Sequence, residues 1–121
     1  MNKDLELQLQ EQFPSFFCDL YGDRRVTGLA HGLGCGDGWF NLIKETCQQL
    51  TDAGADLRFS QIKEKFGSLR MYYTGEAQTI LPIVVDAERR SLTICEQCGK
   101  TEGVKLLGER WIRSLCPECG S

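Results

Sequence analysis

Cys95-Glu96-Gln97-Cys98-Gly99-Lys100 and Cys116-Pro117-Glu118-Cys119-Gly120 bracket the last quarter of this 121-residue chain, and their reading decides its fold. Each is a CxxC pair, and residues 99–115 separate the two. Two residues between cysteines let one tight turn aim both sulfurs at a single point. Two such turns supply four thiolates, the tetrahedral set that zinc takes in a closed structural site. The C-x2-C…C-x2-C spacing is itself a zinc signature. A glycine follows each second cysteine, Gly99 and Gly120, where a knuckle turn asks for positive φ. Pro117 stands inside the second pair, where a fixed φ suits a turn.

Between the knuckles, Val104–Leu107 and Trp111–Leu115 are short runs with strand-type residues, separated by Gly108-Glu109-Arg110. Knuckle, strand, turn, strand, knuckle is a zinc ribbon. We therefore expect one structural Zn2+ on Cys95, Cys98, Cys116 and Cys119. The competing reading, a redox CxxC, would be expected beside a βαβ pattern. A ribbon this short buries little apolar surface, so binding metal should also fold it. Structural zinc contributes about 10–16 kcal/mol in small finger peptides.

The bulk numbers suit one small domain, or one with an appendage. Hydrophobic residues make up 41% and charged residues 26%, ordinary for a globular chain. The start, Met1 to Glu6, lacks a basic region followed by an apolar one, and no eighteen-residue apolar run exists; neither export nor a membrane span is expected. Seven cysteines then point to metal ligation and reduced thiols rather than disulfides. Net charge is −3, and a zinc-bound tetrathiolate would take it to about −5. Residues 1–60 hold nine acids to five bases, and residues 61–121 hold eight acids to nine bases. A protein that coats nucleic acid generally is not built this way, since that binding needs phosphate neutralisation.

The pattern predicts an α+β body over residues 1–93, with the ribbon over 94–121 packed on it because no Pro/Ser linker separates them. Helices are expected near 4–20, 38–53 and 80–93, and a β-hairpin near 56–74. Within 4–20, Leu5, Leu9 and Phe13 lie four apart, and Pro14 opens a second turn or short helix. Phe13, Phe16, Phe17 and Tyr21 read as core, or as a hydrophobic docking face. The second helix carries the stripe Trp39, Ile43, Cys47, Leu50, with Asp37 as its N-cap and Gly54 as its stop. In the hairpin, Leu57, Phe59 and Gln61 alternate with Arg58, Ser60 and Ile62. Lys63–Ser68 turns the chain before Leu69, Met71 and Tyr73. Thr79 is placed to cap the third helix, with Pro82 in its first turn.

Lys63, Lys65, Arg70, Tyr72 and Tyr73 form the candidate interaction surface, since basic residues with interleaved aromatics hold phosphate and stack bases. An edge hairpin protected by lysines is the plainer reading. The glycine-rich stretch 32–38 could hold phosphate on backbone N–H groups, but it matches neither GxxxxGK[ST] nor GxGxxG, and a tight irregular loop is expected. His31 and Cys35, four apart, could join Cys18 or Cys47 in a second metal site, although nothing fixes further ligands.

Gly36-Asp37-Gly38-Trp39-Phe40, Ile62-Lys63-Glu64-Lys65-Phe66-Gly67-Ser68-Leu69-Arg70 and the paired CxxC with Trp111 ahead of the second pair resemble a set of small zinc-ribbon proteins encoded by phages and prophages. The resemblance spans roughly residues 36–120 and implies a phage origin and a bacterial cytoplasm. That family carries no assigned activity, so no catalytic residue transfers.

With one His, no nucleophile–base motif and a zinc site closed by four cysteines, no enzyme and no small-molecule substrate are expected. Two binding classes remain. In the first, a stoichiometric binder or inhibitor acts on a host protein or nucleoprotein machine; by analogy of origin this is an anti-defence, or anti-CRISPR, role. In the second, a nucleic-acid-binding regulator uses the ribbon and the basic hairpin. The net negative charge favours the first.

Overall fold

A computed structural model describes residues 1–121. It contains α1 (Lys3–Gln12), two 3-10 turns (Gly28–His31 and Asp37–Trp39), α2 (Phe40–Asp52), β1 (Leu57–Lys65), β2 (Ser68–Gly75), α3 (Ala77–Ser91), β3 (Lys105–Leu107) and β4 (Arg113–Leu115). β1 pairs with β2 and β3 with β4, both antiparallel, giving two separate two-stranded sheets. The result is the α+β body with a C-terminal four-cysteine hairpin against it that the spacing predicts. No helix is long and apolar enough to cross a membrane.

A cluster of 21 buried side chains forms the core. At about 1.5–3 kcal/mol for each large one removed from water, this cluster is the main source of stability. α2 supplies Leu42, Ile43, Cys47 and Leu50 to it, with Thr46 buried alongside. α1 is shorter than the expected span: it ends at Gln12, and residues 13–21 are turns. Pro14 explains the break, since it pushes the residue before it out of the helical region, and Phe13 sits at φ −130°, ψ 63°. The turns deliver Phe13, Phe16 and Phe17 to the core rather than to a docking face. The Phe17 and Phe59 rings lie 5.3 Å apart.

The hairpin differs from expectation in two ways. Its turn is only Phe66-Gly67, with φ +55° and +83°, so the strands extend to Lys65 and resume at Ser68. Two central residues with positive φ are the hairpin turn whose twist matches the strands. A bulge between Phe59 and Gln61 also inserts one residue. It reverses the alternation, so Leu57, Phe59 and then Ile62 face the core while Gln61 does not.

Neither edge of the hairpin is open, which replaces the lysine-protected edge expected above. Along β1, Gly34 bridges in parallel to Lys63: its N–H donates to the Ile62 carbonyl (2.8 Å) and its carbonyl accepts from the Glu64 N–H (2.9 Å). Along β2, α3 supplies the acceptors: Ser91 Oγ takes the Leu69 N–H at 2.9 Å, and Glu88 Oε2 takes the Met71 N–H at 3.1 Å. α3 begins at Ala77, so Thr79 lies inside its first turn rather than capping it, and Pro82 is one turn deeper than expected. Asp37 does not cap α2; its carboxylate accepts from the Asn2 backbone N–H at 2.6 Å.

Candidate metal centre and interaction surfaces

The ligand atoms of Cys95, Cys98, Cys116 and Cys119 all lie within 4.8 Å of one another, and the Cys98 and Cys116 sulfurs are 3.6 Å apart. A tetrahedron of thiolates around one ion at about 2.3 Å has sulfur–sulfur edges of about 3.8 Å, so the four fit a single metal ion. Each knuckle is closed by its own backbone. The Gly99 N–H donates to the Cys95 carbonyl and the Gly120 N–H to the Cys116 carbonyl, both at 2.9 Å. Gly99 takes the expected positive φ of +85°. Gly120 does not; a β-carbon there would press on the tip of the Leu107 side chain, which would have to turn aside.

The electrostatics suit ligation. Burial works against the Cys95 thiolate, but backbone N–H groups of Cys116, Cys98 and Gln97 point at its sulfur and bring its pKa down to about 6. Hydrogen bonding to the Cys116 sulfur first, then burial, pushes Cys119 up to about 12. Without metal, Cys95 is thus already a thiolate at neutral pH, while Cys98 and Cys119 hold protons that a cation would displace.

Two carboxylates absent from the sequence reading organise what surrounds this centre. Glu96, inside the first knuckle, is buried. Its Oε2 accepts from the Gly36 N–H at 2.8 Å, its Oε1 from Arg113 Nε at 3.2 Å, and its carbonyl from the Gly38 N–H at 2.7 Å. Glu6 on α1 is also buried, and accepts from the Leu33 N–H and from the Tyr21 hydroxyl (2.6 Å). The Gly34 N–H is already spent on β1. The glycine-rich loop therefore binds anions, but they are this chain's own side chains, which leaves no cradle for phosphate. The one hint in the sequence was position: Glu6 precedes Leu9 by three and shares its helix face.

The ribbon has almost no core of its own, only Cys95, Leu115 and Cys116 with Val104, Leu107 and Cys119 against them. It leans instead on the body at two places. The first knuckle sits on the loop, where β-carbons on Gly36 or Gly38 would strike the backbone at Cys95 and Glu96, and Trp39 Nε1 donates to the Ile94 carbonyl at 2.8 Å. The β3–β4 hairpin sits on the Phe66-Gly67 turn, where Ser114 Oγ donates to the Gly67 carbonyl at 2.6 Å and Trp111 Nε1 to Glu64 Oε1.

Of the candidate interaction residues, cross-strand pairing puts Lys63 opposite Arg70, Lys65 opposite Ser68 and Gln61 opposite Tyr72, all on the face turned from the core. Tyr73 is a correction: it pairs with Phe59 and packs against the core, because odd-numbered β2 residues point inward. Arg58, opposite Thr74, joins the outer face instead. Three large apolar side chains on the elements that meet at the seam between body and ribbon are exposed: Phe66 by 67%, Trp111 by 63% and Leu106 by 55%. A β-carbon on Gly67 would run into the Leu106 side chain, and the Arg113 guanidinium lies 4.7 Å from the Trp111 ring.

No second metal cluster forms. Cys35 and Cys47 are buried in the core, and Cys18 and His31 are exposed apart from any group of three potential ligands. Burial pushes the Cys35 thiol up to about 12 and raises Cys47 as well. Comparison with known protein families, curated proteins and solved structures finds no match to this chain.

Proposed function

We propose that the chain is a zinc-stapled binding protein of phage origin, acting as a stoichiometric inhibitor of a host bacterial protein or nucleoprotein machine in the cytoplasm. The anti-defence role, CRISPR inhibition included, rests on the phage resemblance of residues 36–120. Zinc is the ion because a tetrahedral four-sulfur set suits zinc or iron–sulfur chemistry, and a shell closed by four protein ligands suits a structural ion. The same closure leaves no position for a substrate, and so supports binding rather than catalysis.

One observation carries the binding role. Phe66 stands at the tip of the hairpin at φ +55°, a region that costs a bulky residue on the order of 1–3 kcal/mol, yet its ring is mostly in water. Folding gains little from that ring. A partner that covers it, together with Leu106 and Trp111, would gain much, since aromatic anchors dominate interface energetics. The zinc matters to this surface because two of the three anchors stand on the ribbon and one on the body.

The test is recovery of a host protein from bacterial lysate by the tagged, zinc-loaded full chain, set beside Phe66→Asn and Trp111→Ala. One stoichiometric partner that both variants lose is the expected result. Equal recovery by all three forms, or no stoichiometric partner, would remove this reading. Elemental analysis should find one zinc per chain; iron in its place would overturn the metal assignment.

A further inference from the structure

The outer face of the β1–β2 hairpin carries Arg58, Lys63, Lys65 and Arg70 and not one carboxylate. The other ten bases of the chain are set against all seventeen acids. An acidic protein has therefore gathered positive charge on one small sheet. None of the four makes an ion pair; the five pairs present use Arg25, Arg89, Arg90, Lys100 and Arg113. Arg70 Nε is buried without any hydrogen-bond partner. Lys63 lies directly opposite Arg70, and like charges in that position oppose strand pairing. No ion pair within the fold offsets that repulsion. A bound polyanion would.

Tyr72, 44% exposed, lies on the same face, paired with Gln61. An aromatic ring amid cations offers a base a stacking surface while the phosphates are neutralised. We infer that this face is a binding track for single-stranded nucleic acid, with Lys63, Lys65, Arg58 and Arg70 on the phosphates and Tyr72 under a base. A single strand is favoured over a duplex by two features. A duplex keeps its bases stacked inside, out of reach of Tyr72. A β-ribbon reads the major groove by entering it, and here both edges are walled, by α3 on one side and the Gly34 segment on the other. Lys65 Nζ lies 5.9 Å from the centre of the Phe66 ring, so the track borders the aromatic seam; its test reads oligonucleotide binding rather than capture of a host protein, and the two readings therefore fail separately.

The experiment is fluorescence anisotropy of a labelled oligothymidylate of about twenty nucleotides, titrated with the zinc-loaded full chain across a salt series. Binding at low ionic strength is expected, with log K falling on log salt at a slope of about −2 to −3, from about −0.7 per neutralised phosphate. Lys63→Glu with Lys65→Glu should weaken binding at least tenfold and flatten the slope by more than one. Tyr72→Ala should weaken it by about tenfold with the slope unchanged. Lys44→Glu, on α2 away from the face, should leave both as they are. The inference is overturned by no anisotropy change at low salt, or by affinity unmoved in the hairpin variants. It is equally overturned by tighter binding of a duplex of the same length, or by equal binding of polyglutamate, which would mark the face as a docking site for acidic protein.

Discussion

Glu96 holds the backbone N–H of Gly36 at 2.8 Å with one carboxylate oxygen while the other takes Arg113 at 3.2 Å. A residue between two of the clustered cysteines thus reaches out to the loop that carries the ribbon, and does so from a buried position. Glu96→Ala would strand a largely buried guanidinium and an amide, at a cost of about 3–5 kcal/mol. Adding Arg113→Ala should restore part of that loss, because the unpaired charge goes with it. Urea unfolding of both single variants and the double variant measures the coupling; purely additive losses would show that the pair does not act as a unit.

Gly38 lies flat against the backbone of the first knuckle, with no room for a β-carbon. Gly38→Ala should cost at least about 1–3 kcal/mol, the usual range for overpacking, and should also weaken metal binding. Gly54→Ala is the control. At φ +73° with open space around it, it should lose about 1–2 kcal/mol from strain alone and leave metal affinity intact. Competition with a chromogenic chelator separates the two.

The thiols should divide sharply in reactivity. Burial holds Cys35 neutral up to about 12 and raises Cys47, so neither presents thiolate at neutral pH. Iodoacetamide on the loaded protein should label exposed Cys18, and chelation should add the four ribbon cysteines. The pH signs follow from the same shifts. Metal must displace protons held on Cys98 and Cys119, both raised, so affinity climbs with pH and is lost on acidification. For Cys35 the folded value lies above the ordinary 9.0. Its contribution to stability is therefore complete below that value and is lost as pH rises toward 12. Mass spectrometry of the labelled sites, and melting temperature against pH, check both halves.

Phe66→Asn should stabilise the chain by about 1 kcal/mol, since Asn tolerates the left-handed region and suits this turn. The same change should abolish capture of the proposed host partner. A variant that gains stability but keeps its partner would dissociate the strain at Phe66 from binding.

The parts of the fold that the sequence revealed are those fixed by short-range rules. CxxC spacing gathers sulfurs through two tight turns, and the Trp39–Leu50 stripe makes an amphipathic helix wherever it lies. The hairpin was visible as two strands, but its details were not. Phe66 gives no signal for a turn that normally takes Asn or Gly, so the pattern places the strand ends short of the two-residue turn. The bulge before Gln61 leaves no mark in composition, yet it shifts the phase of everything after it in β1. Tyr72 and Tyr73 cannot share the outer surface, because neighbours on a strand face opposite ways, and it is Tyr73 that packs against the core.

By itself, then, the sequence determined a four-cysteine cluster, an α+β body and a basic hairpin, because each depends on spacings of a few residues. Tertiary structure alone decided what the glycine-rich loop is for and where the charged groups end up. Glu6 reaches Leu33 across 27 positions and Glu96 reaches Gly36 across 60, distances at which no local pattern constrains a side chain. Those buried carboxylates turn an apparent anion-binding loop into the socket for the ribbon, and the folded hairpin then sorts its cations onto one face.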